Sequence, residues 1–134
     1  MHVATPTTRC AAAAVLVAAA LLSGCAGLEE DDVAQVAGAF EDPATAPADR
    51  CALLAPTTRD ALESDGSAPC VEAIEQVPLP GGAVEAVEVW GGEAQVRLAG
   101  DTVFLTETPS GWRVTAAVCL PRGELPYDCE VEGS

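Results

Sequence analysis

From Val84 the chain alternates apolar and polar residues with a period of two, and the stretch VEVW-GG-EAQVRLA-GD-TVFLTET-PSG-WRVTAAVC follows. No other feature constrains the fold as tightly. Successive strand side chains point to opposite faces, so residues i and i+2 share one face. Gly91-Gly92 and Gly100-Asp101 suit two-residue hairpins, and Pro109-Ser110 supplies a third turn. With these as hairpin centres, Val89 faces Ala94, Val87 faces Val96, Leu98 faces Val103, Val96 faces Leu105, and Leu105 faces Val114. Every pair is apolar, although the three turns are assigned independently, which supports an antiparallel meander. Val87, Val89, Val96, Leu98, Val103, Leu105 and Val114 then form the inner face. Glu88, Gln95, Arg97, Phe104, Thr106, Arg113 and Thr115 form the outer one, with Glu88 opposite Gln95, Arg97 opposite Phe104 and Thr106 opposite Arg113. Tyr127, Cys129 and Val131 alternate with Asp128, Glu130 and Glu132, as in a fifth strand.

The period before residue 80 is helical. Val33, Val36, Ala37 and Phe40 recur at i, i+3, i+4 and i+7, one face of a helix that Asp42-Pro43 ends. Glu29–Asp32 then reads as a solvated helix start, with acid beside the positive end of the helix dipole, rather than as a calcium site. Shorter helical pieces follow in ADRCALLA, in TTRDALES with a threonine cap at Thr57 or Thr58, and in CVEAIEQ with Pro69 at its first position. Helices first and an antiparallel meander after them make an α+β domain.

The amino-terminal segment is of another kind. Arg9 is its only Lys or Arg, and Ala11–Leu22 gives an unbroken apolar run, shorter than the ~20 residues that span a bilayer. That is the layout of a secretory signal peptide. Its exit, Leu22-Ser23-Gly24-Cys25, resembles a bacterial lipobox. The resemblance implies lipidation of the Cys25 thiol and cleavage before it. Ordinary cleavage near Ala26 or Gly27, releasing a soluble protein, is the plainer alternative. The expected organisation is a signal peptide over 1–24, the lipidated cysteine with a very short linker over 25–28, and one α+β domain over 29–134. A membrane partner through the lipid anchor, on the extracytoplasmic face of the cell membrane, follows from it.

Charge and cysteine count narrow the function. Without residues 1–24, five arginines stand against 21 acids, a formal charge of −16, and there is no lysine. Such a surface argues against nucleic acid and against peripheral binding to anionic lipid. Cys51, Cys70, Cys119 and Cys129 are an even set in an exported chain and read as two disulfides. Of the three pairings, Cys51–Cys70 and Cys119–Cys129 are favoured, because each pair brackets a turn region rich in Pro, Gly and Asp. No CxxC pair is present and the single histidine, His2, lies in the signal segment. No metal site is expected. No histidine is left for acid–base or triad chemistry, and no glycine-rich phosphate loop follows a strand, so no catalytic residue and no cofactor is assigned.

The element order resembles the nuclear-transport-factor-like, ketosteroid-isomerase-like cone, with a cystatin-like helix on a sheet as the alternative fold. CALLAPTTRDALE and PYDCEVEG resemble small actinobacterial-type lipoproteins of unassigned role. These resemblances imply a non-catalytic interaction module of the cell envelope with an unknown envelope protein as partner. A small apolar ligand carrier using the cone cavity is the alternative, and an unrecognised enzyme the third. On the outer sheet face Arg97, Phe104 and Arg113 are the candidate partner residues, since arginine and aromatic side chains are enriched at binding hot spots.

Overall fold

The computed structural model describes residues 2–3 and 23–133, and of residues 23–26 the backbone only. The expected signal segment lies almost wholly outside the described residues, and so does the Cys25 side chain. Four helices precede five strands: α1 (Ser23–Glu41), α2 (Pro47–Leu53), α3 (Pro56–Gly66) and α4 (Cys70–Ala73), the last continued by a 3₁₀ turn over Ile74–Gln76. β1 (Val84–Trp90), β2 (Glu93–Leu98), β3 (Thr102–Thr108), β4 (Gly111–Arg122) and β5 (Leu125–Glu132) form one antiparallel sheet in sequence order. The chain is α+β. Among the described residues no helix is long and apolar enough to cross a membrane.

α1 already includes residues 25–28, the expected linker, so Glu29–Asp32 falls after the first turn and not in it. The helix lays Val33, Ala37 and Phe40 onto the sheet, each with 0 % exposure. Pro47 and Pro56 open α2 and α3, where a missing N–H leaves nothing unsatisfied. The expected threonine cap of α3 does not form. Ala55 holds the cap position, and Thr58 turns inward, its hydroxyl donating to the Thr115 carbonyl at 3.0 Å. Pro69 precedes α4 rather than opening it. Glu63 accepts from the Cys70 N–H there, at 3.2 Å. The disulfides are Cys51–Cys70, joining α2 to α4, and Cys119–Cys129, a directly opposed pair on β4 and β5. Closing loops of this size stabilises by roughly 3 kcal/mol each in the chain-entropy model.

The registers of β1/β2 and β3/β4 are those the turns dictate: Val87 opposes Val96, Val89 opposes Ala94, and Leu105 opposes Val114. The β2/β3 register differs. Val96 opposes Val103, Ala94 opposes Leu105, and Phe104 opposes Gln95 rather than Arg97. The tight turn is Ala99-Gly100, closed by the Leu98 N–H donating to the Asp101 carbonyl at 2.8 Å. The pairing has moved by two residues, one full strand period, so every side chain keeps its face. Leu98, Val103, Val96, Leu105 and Val114 are all buried against the helices.

Beyond its pairing with β5, the free side of β4 is covered. The Ala55 N–H donates to the Val114 carbonyl at 2.8 Å, and Leu54 bridges to Val114. Covering an edge in this way removes a template for unwanted strand pairing.

Candidate functional site

Two places on this scaffold concentrate functional chemistry, one behind the sheet and one in front of it. The first is a pair of buried acids. Glu41 ends α1 with 2 % exposure, and Asp101 follows the β2–β3 turn with 6 % exposure. The Asp101 carboxyl accepts three backbone N–H bonds: from Thr102 at 2.7 Å, from Val118 at 2.7 Å and from Cys119 at 2.8 Å. Val118 has φ +55°, a conformation a β-branched residue rarely adopts. Successive N–H groups around such a residue form a concavity for an anion, and a side chain of the protein fills it here. Pairing of β3 with β4 stops at Phe104–Ala116. Asp101 thus takes the place of main-chain acceptors just where the ladder ends.

Glu41 lies against this carboxyl. Its Oε2 accepts from the Gly81 N–H at 2.9 Å, while Oε1 has no hydrogen-bond partner among the described residues. Burial first, then the adjoining Asp101 carboxyl, raise the Glu41 pKa from 4.5 to about 8; the Gly81 N–H and the Arg50 charge act the other way. A protonated Glu41 supplies the donor that two facing carboxyls otherwise lack. Gly81 is held at φ +68° by a loop that stacks on the β2–β3 turn, with the Gly100 N–H donating to the Gly81 carbonyl at 3.1 Å. A Cβ on Gly100 would stand 2.9 Å from that carbonyl oxygen, so the contact requires glycine. A buried acid with a raised pKa can perform acid–base chemistry where substrate can reach it. Neither Glu41 nor Asp101 lines any of the three surface cavities described for this molecule. Their role here is to lock α1, the Gly81 loop, the β2–β3 turn and β4 together.

This pair is absent from the pattern-based reading, although half of it has a signal in the sequence. Val33, Ala37 and Glu41 are spaced by four, so Glu41 sits on the apolar stripe of α1. Asp101 reads as a turn residue, and only the three-dimensional approach of β4 reveals its acceptors.

The second place is the outer face of the sheet. Glu88, Gln95, Phe104, Ala116 and Glu132 form one row across all five strands. Phe104 is half-buried, and the ring of Tyr127 meets it edge-on with centroids 5.1 Å apart. Edge-to-face pairs of this kind contribute about 0.5–1.5 kcal/mol beyond burial. The rings line an open cavity of about 400 Å³, together with Thr115, Cys129, Glu93 and Glu132. Tyr127 reaches Phe104 because β4 breaks its alternation: Ala116 and Ala117 are both buried, and Val118 is left-handed.

The three expected partner residues occupy this face without forming one patch. Phe104 is in the cavity. Arg97 points to solvent and pairs with Glu85 at 3.8 Å, not with Phe104. An exposed pair of this kind contributes little. Arg113 opposes Thr106 as the turn assignment requires, donates to the Trp112 carbonyl at 2.8 Å, and lines a separate cavity of about 300 Å³ with Pro56, Arg59 and Ser110. Among the described residues no group of three or more His, Cys, Asp or Glu is placed to hold a metal ion. No family model matches the chain, and neither a curated protein nor a solved structure matches it significantly.

Proposed function

We propose that this protein is a membrane-anchored extracytoplasmic lipoprotein whose single domain is a non-catalytic protein-interaction module of the cell envelope. Support for the anchor is the Leu22-Ser23-Gly24-Cys25 motif after its apolar run. Support for export is the pair of disulfides, which persist in oxidising compartments. The likeness to the nuclear-transport-factor-like cone and to actinobacterial-type lipoproteins belongs to this proposal. It rests on helices that precede a meander and on the quoted sequence stretches.

One observation carries the interaction reading: the sheet is packed on its helix side and open on its outer side. Phe40, Ile74, Leu105 and Val96 fill the helix–sheet layer at 0 % exposure. A carrier of small apolar ligands in that layer would need a volume of roughly 300 Å³ or more there. The half-buried aromatic pair and its cavity face the other way. The test is recovery of a crosslinked partner from native envelope. Thr115→Arg, which fills the cavity mouth, should abolish recovery without changing the melting curve. Glu72→Arg, at an exposed position of α4, should leave it intact. Undiminished recovery with Thr115→Arg would remove the outer face as the site of contact.

A further inference from the structure

We infer that the Phe104–Tyr127 cavity is a receptor for a basic side chain, an arginine or lysine presented by the partner protein. This rests on the interaction reading above and names the chemistry of its site. The cavity combines two aromatic rings with two carboxylates, Glu93 and Glu132, and among the described residues no arginine lines it. Glu93 is already positioned, since the Thr106 hydroxyl donates to its Oε1 at 2.8 Å. Glu132 closes the cross-strand row on the far side of Phe104, two strands away through Ala116. A cation over an aromatic face is attracted by the ring quadrupole, and a carboxylate on each side adds Coulomb attraction. The chain as a whole carries a formal charge of −15, which draws a cationic partner toward it before contact. Arginine fits best, because its planar guanidinium stacks on a ring while its N–H fork reaches a carboxylate.

The experiment uses the processed, anchored protein in neutral detergent, followed by amide and aromatic NMR. The probes are acetyl-Gly-Arg-Gly-amide and the same peptide with citrulline, which keeps the shape and loses the charge. The arginine peptide should give saturable shifts centred on Phe104, Thr115 and Tyr127, with affinity at least tenfold above the citrulline peptide. Glu132→Gln, at an exposed position, should weaken the arginine peptide at least threefold, and Tyr127→Ala should do so further. Equal binding of the two peptides, or shifts spread over Glu29–Asp32 instead, would overturn the inference. If the peptides fail while the Thr115→Arg variant still loses its envelope partner, the cation chemistry falls and the interaction surface stands. If Thr115→Arg also recovers its partner undiminished, both fall.

Discussion

Glu41 and Asp101 lie side by side in the interior, one ending α1 and the other leaving the β2–β3 turn, and burial together with the Asp101 carboxyl raises the Glu41 pKa to about 8. The folded protein therefore holds a proton that the unfolded chain releases between about pH 4.5 and 8. More protons bound in the folded state means stability falls as pH rises through that window, by up to about 1.4 kcal/mol per pH unit, and levels off beyond it. Glu41→Gln copies the protonated form: its carbonyl can accept from Gly81 and its amide can donate to Asp101. Urea melts from pH 4 to 9 should show a falling stability for wild type and a flattened profile for Glu41→Gln. Parallel profiles for the two proteins would contradict a raised Glu41 pKa.

Asp101→Ala removes the acceptor of three backbone N–H groups, two of them at the distorted centre of β4. Buried donors left unpaired cost about 1–3 kcal/mol each, so the loss should exceed about 3 kcal/mol. Asp101→Asn keeps one acceptor oxygen and should lose less. Equilibrium unfolding of both variants measures this, and an unaffected Asp101→Ala would deny the carboxyl its place in the ladder.

Leu105 and Arg97 report on the two faces of the sheet. Leu105 has 0 % exposure, and Leu105→Ala should destabilise by about 2–5 kcal/mol through lost burial and a residual cavity. The Arg97 side chain is 60 % exposed, and Arg97→Ala should change stability by about 0.5 kcal/mol or less. The reverse ranking in chemical denaturation would mean the faces are exchanged.

How far the sequence reached is clearest at these strands. Alternation with Gly91-Gly92 and Pro109-Ser110 sufficed for two registers, because each of these dipeptides is the turn it reads as. Gly100-Asp101 and Ala99-Gly100 are turn centres one residue apart, and both leave every side chain on its face. What decided between them is a carboxyl bound by β4 and a glycine pressed against Gly81, contacts made by segments distant in sequence. The cavity was hidden for a related reason. It needs Tyr127 over Phe104, and that needs a left-handed Val118, which no propensity favours. Phe104 itself was legible as an aromatic out of phase with the core. Cys119–Cys129 was legible because the two cysteines flank one hairpin, whereas Cys51–Cys70 closes around the helix α3 rather than around a turn.

Peptide mapping without reductant should join Cys51 to Cys70 and Cys119 to Cys129. Replacing Cys51 and Cys70 together by serine should destabilise by roughly 3 kcal/mol. Free thiols in the native oxidised protein would contradict the framework.

Cys25→Ala should abolish incorporation of a clickable fatty acid and leave an unprocessed precursor. Equal label on wild type and variant would remove the lipid anchor from the account.

The claim that the outer sheet face is the contact surface is tested most directly by photocrosslinking in intact envelope. A photoreactive residue at Gln95, beside Phe104 in the cross-strand row, is compared with one at the exposed Glu72 of α4. The account predicts a discrete crosslinked species from position 95 that position 72 does not give and that Thr115→Arg removes. The same products from both positions, or a discrete product from position 72 alone, would contradict it.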